Sequence, residues 1–316
     1  MNAKPRRWNM SKKSFLRIED FSSNEILEVV EFASHIKNKR DYSPLLGKVV
    51  ALLFEKPSLR TRVSFEVGVR QLGGECIYLS PSDVGLGTRE PVSDVIRVLD
   101  RWVDIVVSRV FEHHALDEMN RFSNIPVVNA LSDVEHPCQA MADLLTIKQH
   151  KNKLKDVSVA FIGDGNNVSA SLSIACASVG ANFSIATPQG YELPKNVYDE
   201  SINRSLLSGS KIKFLNDPLD AVYGADVVYT DVWVSMGDEK EESKRLEAFK
   251  DFQVNEELMK HARKDAIFMH DMPAHRGLEI SESMIDYSNS VVFDQAENRL
   301  HAQKAIMAFL IEGEVL

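Results

Sequence analysis

Ser58-Leu59-Arg60-Thr61-Arg62 packs two hydroxyls and two guanidiniums into five residues directly after an apolar run. If a helix starts there, free backbone N–H groups and the positive end of its dipole join them, a combination suited to phosphate. On its own the segment also reads as an N-cap followed by a solvated basic turn. Arg109, with His136 and Gln139 of His136-Pro137-Cys138-Gln139, forms a second group. An Arg, a His and a Gln can together hold and polarise a carbonyl oxygen as negative charge develops on it. A lone His before proline is otherwise an ordinary loop residue.

Two further segments offer amide and carboxylate groups: Gly163-Asp164-Gly165-Asn166-Asn167 and Asp231-Val232-Trp233-Val234-Ser235-Met236-Gly237. The first lacks the third glycine of a dinucleotide fingerprint, which argues against NAD. Together they suit a zwitterionic amino acid, and separately each reads as an Asx turn. Last comes the dense polar run His270-Asp271-Met272-Pro273-Ala274-His275-Arg276-Gly277, with Asn298-Arg299 further along.

These residues need strands and helices to bring them together. Ser22 to Glu25 has the form of a capping box, and the apolar spacing after it predicts a helix over about 24–38. Val49 to Phe54 is a continuous apolar run of the kind a strand buried on both faces needs. Alternation continues with a helix to Leu72, a strand at Cys76 to Leu79, a helix at Val92 to Trp102, strands at Ile105 to Val107 and Val127-Val128, and a helix at Gln139 to Gln149. Charged Lys148 to Asp156 is the expected boundary. Beyond it, strands are expected at Val157 to Ile162, Phe183 to Ala186, Ile212 to Phe214, Val227 to Thr230, Ala266 to Met269 and Val291 to Phe293, with a last helix from Asn298 to Leu310. The pattern predicts an α/β protein of two doubly wound domains, each around a parallel sheet, joined by inter-domain helices. In such sheets ligands gather at the carboxyl ends of strands, where every segment above falls.

At 316 residues the chain is long enough for two cores. Its net charge of −9 argues against general nucleic-acid binding. Basic Met1 to Lys13 lacks an apolar signal core, and no stretch approaches the roughly 20 apolar residues of a membrane span, so a cytoplasmic location is expected. Cys76, Cys138 and Cys176 fit neither a disulfide framework nor a zinc site and are read as reduced packing residues.

In this order, the segments resemble the aspartate and ornithine carbamoyltransferase family over nearly the whole chain. S-x-R-T-R matches Ser58 to Arg62, H-P-x-Q matches His136 to Gln139, and the D-x-x-x-S-M-G of the ornithine branch matches Asp231 with Ser235-Met236-Gly237. The resemblance implies transfer of the carbamoyl group of carbamoyl phosphate to ornithine, in arginine metabolism, with no metal or cofactor. It implies a first domain (1–150, completed by the C-terminal helix, about 298–316) for carbamoyl phosphate and a second (151–297) for the amino acid. Ser58, Leu59, Arg60, Thr61 and Met272 would hold carbamoyl phosphate, with Arg109, His136, Gln139 and Arg299 around its carbamoyl group. Asn167, Asp231, Ser235 and Met236 would hold ornithine, and a homotrimer is implied.

Three positions depart from the family. Asp271 stands in His270-Asp271-Met272-Pro273 where ornithine enzymes read H-C-L-P, and is taken as a functional replacement for the thiol: an ionised carboxylate that binds the δ-ammonium and raises its pKa. Gly85 offers no side chain where a neighbouring subunit often supplies Gln or His. Leu59 replaces a commoner Thr. The alternatives are a family member acting on another amine, such as putrescine or an acylated ornithine, and a non-catalytic paralogue that binds carbamoyl phosphate.

Overall fold

The computed structural model describes residues 13–37, 39, 41–87, 89–235, 237 and 239–313. Met236 and the end of the first expected helix at Asn38 lie outside them. The chain opens with α1 (Ser23–Ile36), whose capping box is formed: Ser22 Oγ accepts from Glu25 N–H at 3.3 Å, and Glu25 Oε2 from Ser22 N–H at 2.8 Å. Then follow β1 (Val49–Phe54), α2 (Leu59–Gln71), β2 (Glu75–Leu79), α3 (Pro81–Val84), α4 (Val92–Leu99), β3 (Ile105–Arg109), α5 (His114–Phe122), β4 (Val127–Leu131) and α6 (Pro137–Lys151). All pairings of this first sheet are parallel, in the order β2-β1-β3-β4.

The second half is built the same way: β5 (Ser158–Ile162), α7 (Asn167–Val179), β6 (Asn182–Ala186), α8 (Lys195–Ser208), β7 (Ile212–Leu215), α9 (Pro218–Val222), β8 (Val227–Thr230), α10 (Glu242–Phe249), α11 (Glu256–Met259), β9 (Ile267–His270) and α12 (Val292–Glu312). Its parallel sheet has the order β7-β6-β5-β8-β9.

Side-chain alternation along the strands sorts the core into layers. Val50, Leu52 and Phe54 of β1 face the same apolar cluster as Val159 and Phe161 of β5, whereas Ala51 and Leu53 face a second cluster and Ala160 and Ile162 a third. The shared cluster also contains apolar residues of α1, α6, α7 and α12, so these helices are the common layer between the sheets. Each large side chain buried there contributes about 1.5–3 kcal/mol.

One expected strand is wrong. Val291 to Phe293 opens α12, which starts at Val292 and not near Asn298. Three apolar residues fit either period, and here the helical one wins: Val292 is buried while Phe293 beside it is 65% exposed.

Candidate active site

Both sheets reverse their winding at one point, between β1 and β3 in the first and between β5 and β8 in the second. Loops leave in opposite directions there, and the crevice they open is the usual ligand position. The two crevices share a cavity of about 700 Å³.

On the first side Ser58 caps α2, its Oγ accepting from Thr61 N–H at 3.3 Å. Thr61 Oγ1 accepts from Arg299 Nη2 at 2.6 Å, tying α12 to the turn. Arg109, the last residue of β3, reaches the same cavity. Burial and the nearby Arg299 and Arg60 charges lower the Arg109 pKa to about 10, so it stays cationic at neutral pH. Burial also lowers Arg299, with Asp271 opposing. Arg109 Nε and Arg299 Nε are buried donors without a partner. Several guanidiniums forced together around open donors are the arrangement an anion relieves. Arg62 takes no part; its Nε donates to Glu66 at 2.7 Å and its guanidinium lies 3.7 Å from the Tyr78 ring centre.

His136 caps α6 and lines the cavity, and burial among Arg299 and Arg109 holds its imidazole neutral. Its backbone N–H donates to Ser171 Oγ at 2.9 Å, which itself donates to Glu135 at 2.8 Å, joining the halves. Gln139 is expected at the carbamoyl group but does not line the cavity. It is fully buried one turn below His136, donating through Nε2 to Asp143 at 2.9 Å and leaving Oε1 unpartnered.

On the second side Asn166 caps α7, its Oδ1 accepting from Val168 and Ser169 N–H at 3.0 and 3.1 Å. Its Nδ2 donates to Asp231 Oδ2 at 2.8 Å, which fixes the carboxylate at the end of β8. Asn167 Nδ2 donates across the cleft to the Ser132 carbonyl at 2.6 Å. Ser235 lines the cavity in the loop after β8, which Arg245 tethers by donating to the Trp233 carbonyl at 2.6 Å while pairing with Asp164.

Asp271 meets a second carboxylate. It follows β9 and faces Asp231, and burial together with that carboxylate, with which it shares a hydrogen bond, pushes it well above the usual carboxylate range. The ionised carboxylate expected here therefore carries a desolvation and like-charge cost that a cation placed between the two groups would relieve. Atoms of Asp231, His270 and Asp271 lie within 4.8 Å of one another, a grouping that can hold a cation. His270 is committed elsewhere. Its Nδ1 accepts from Met272 N–H at 2.9 Å and its Nε2 faces Glu279 at 3.2 Å, which leaves the two carboxyls for the cation.

The cavity thus brings together Ser58, Leu59, Arg60, Thr61, Arg109, His136, Asn167, Asp231, Ser235, Asp271, Met272 and Arg299. Lys56 and Ser132, not among the expected site residues, also line it, as does Asn166 of the expected Gly163 to Asn167 segment. Lys56 was visible as a cation two residues before Ser58, and Asn166 as the neighbour of Asn167. Ser132 carried no signal; its contribution is a carbonyl.

The fold and the cavity define a two-sheet α/β protein whose shared cavity is lined by arginines on one side and carboxylates on the other. The family described as aspartate/ornithine carbamoyltransferase matches with its carbamoyl-P binding domain over residues 13–149 and its Asp/Orn binding domain over 155–310. The chain belongs to that family. It is 47% identical to an ornithine carbamoyltransferase of Thermococcus kodakarensis over 309 residues, covering 96% of this chain and 98% of the relative. The corresponding protein of Bacillus subtilis is 48% identical over 303 residues, covering 96% and 95%. The solved ornithine carbamoyltransferase of Pyrococcus furiosus superposes with a TM-score of 0.93 at 45% identity, covering 96% of this chain and 98% of that one.

Proposed function

We propose that the chain is an ornithine carbamoyltransferase, converting carbamoyl phosphate and ornithine to citrulline and phosphate. The observation that carries this reading is the single cavity with cationic Arg109 and Arg299 on one wall and Asp231 with Asp271 on the other. The phosphate of carbamoyl phosphate sits against the Ser58 to Thr61 turn, with Met272 over it. Arg109, His136 and Arg299 surround its carbamoyl group, with the unpartnered Oε1 of Gln139 behind His136. Asn167, Asp231, Ser235 and Met236 hold the amino-acid end of ornithine, and Asp271 holds its δ-amine.

The δ-ammonium loses one proton to become a nucleophile. Its lone pair then attacks the carbonyl carbon, and the tetrahedral oxyanion is stabilised by Arg109 and neutral His136. The C–O bond to phosphate breaks, and the second proton leaves nitrogen with the departing phosphate. Most of the acceleration comes from positioning and fixed charge.

Residues 1–150 with α12 form the carbamoyl phosphate unit in this reading and residues 151–297 the amino-acid unit. The active form is a homotrimer, and the reaction belongs to the cytoplasm, in arginine metabolism; no described helix is long and apolar enough to cross a membrane. Putrescine fits less well, because it has no α-carboxylate or α-amine for Asp231 and Ser235. An assay of citrulline and phosphate release over ornithine, putrescine and N-acetylornithine tests the reading.

A further inference from the structure

Below the cavity lies a buried polar chain that the reaction as described does not use. The backbone N–H of His270, at the end of β9, donates to Gln295 Oε1 at 2.9 Å. A backbone N–H can only donate, so the Gln295 amide is oriented with Nε2 on its far side, where it donates to Asp143 Oδ1 at 2.7 Å. That oxygen is therefore a lone-pair acceptor. The group of Gln139 facing it at 2.9 Å must then be Nε2–H as well. Gln139 has its amide pinned by one end, and the other end is fixed as Oε1, fully buried and without a partner.

Direction follows from helix geometry. Asp143 lies four residues after Gln139 on α6 and His136 three residues before it, so all three share one face. With Nε2 committed to Asp143, Oε1 is the free end of the amide, on the helix face it shares with His136, which lines the cavity. Around the carbamoyl position the guanidiniums of Arg109 and Arg299 offer only donors, and Gln139 Oε1 is the complementary acceptor.

We infer that Asp143 and Gln295 are positioning residues that set the amide of Gln139 so that the site demands an N–H on the acyl group, selecting carbamoyl phosphate over acetyl phosphate. This deepens the proposed function and rests on its assignment of the acyl phosphate to this cavity. An acyl methyl would leave Oε1 buried and unpaired, the circumstance in which polar sites discriminate strongly. The device tolerates a change of charge. Burial pushes Asp143 up to about 7, but Oδ1 already accepts two amides, so a proton resides on Oδ2 against Tyr229, whose hydroxyl is 3.2 Å away.

Phosphonoacetamide and acetonylphosphonate differ only by NH2 against CH3 and do not hydrolyse, so calorimetric titration of the full chain with each, and with phosphate, isolates the effect. The parent is expected to prefer phosphonoacetamide by at least about tenfold. Asp143→Leu brings that ratio toward unity with phosphate affinity unchanged, because Gln139 is released to turn. Asp143→Asn keeps the parent ratio, its Oδ1 accepting both amides and its Nδ2 donating to Tyr229. Equal binding of the two ligands by the parent, a retained ratio in Asp143→Leu, or a ratio lost in Asp143→Asn would each overturn the proposal. If Asp143→Leu does not fold, the parent and Asp143→Asn decide alone. Failure of the parent to bind phosphate or either phosphonate would instead remove the anion site of the proposed function, and this inference with it.

Discussion

At the scale of single residues, the site is a problem of charge placed where water is scarce. Arg60 lines the cavity beside Arg109 and Arg299. Replacing Arg60 with Ala removes a charge-assisted phosphate contact worth about 1.5 to 3 kcal/mol, a ten- to hundredfold loss of carbamoyl phosphate affinity. Calorimetry should find that loss with phosphate binding weakened in parallel, and unchanged affinity would contradict the anion site. Asp271 behaves differently. Burial and Asp231 favour its protonated form, and a δ-ammonium beside it favours the ionised one. Ornithine binding is therefore expected to release a proton and to tighten as pH rises through the range in which Asp271 titrates. Asp271→Asn abolishes the release, measurable as the dependence of binding heat on buffer ionisation enthalpy; equal release by parent and variant would take Asp271 out of the ammonium site. The cations and carboxylates of this cavity were legible because each stands in a short polar run after a strand. The upward shift of Asp271 was not legible, since nothing in the sequence reveals that it meets Asp231, forty residues earlier.

At the scale of elements, the strands carried most of the fold. Val49–Phe54 and Val227–Thr230 were readable to the residue because both faces of a central parallel strand are buried and the apolar run is unbroken. Val291 to Phe293 failed because three residues cannot distinguish periods. Asp143 was equally hidden: one acid in the run Gln139 to Ile147 reads as a solvated turn of helix, yet all of that run is buried. Two element junctions give predictions. Gly165 lies so close to the next connection that an added Cβ would sit 2.4 Å from the Glu192 carbonyl carbon and 2.5 Å from Leu193 N, both backbone. Gly165→Ala should lower stability by about 1–3 kcal/mol and, by displacing the Asn166 cap, weaken ornithine binding; a variant as stable as the parent in urea would refute the close approach. Glu135 joins β4 to α7, and burial raises its pKa from 4.5 to about 7. Stability from this neutral, buried carboxyl is fully present below the unfolded pKa and is lost as pH rises through the folded one. Glu135→Gln keeps both bonds, since Ile18 N–H and Ser171 Oγ donate to the same oxygen, and removes the titration. Its advantage over the parent should grow between about pH 5 and about pH 8 by up to about 3 kcal/mol in urea unfolding, and a constant difference would rule out the shift.

At the scale of the molecule, two sheets wound in the same sense share one layer of helices, so that their reversal points open onto a common cavity. The first unit also leaves large apolar side chains in water, among them Leu59 at 76% and Trp102 at 72% exposure. Such surface is what a subunit contact covers. Sedimentation is expected to give three times the 35.5 kDa chain mass, and an active monomer would contradict the trimer. The two-domain architecture was legible from the repeated strand and helix pattern, whereas the joining of the two cores into one layer was not, because it depends on which faces of α6 and α12 meet. What the whole arrangement does is tested most directly by turnover of carbamoyl phosphate with ornithine, putrescine and N-acetylornithine, following citrulline, the corresponding products and phosphate together. Equal amounts of citrulline and phosphate, with kcat/KM for ornithine at least about 100-fold above that for either competitor, are expected from a cavity built for an α-amine, an α-carboxylate and a δ-ammonium. Turnover with another amine in preference to ornithine, or carbamoyl phosphate binding without any transfer, would contradict it.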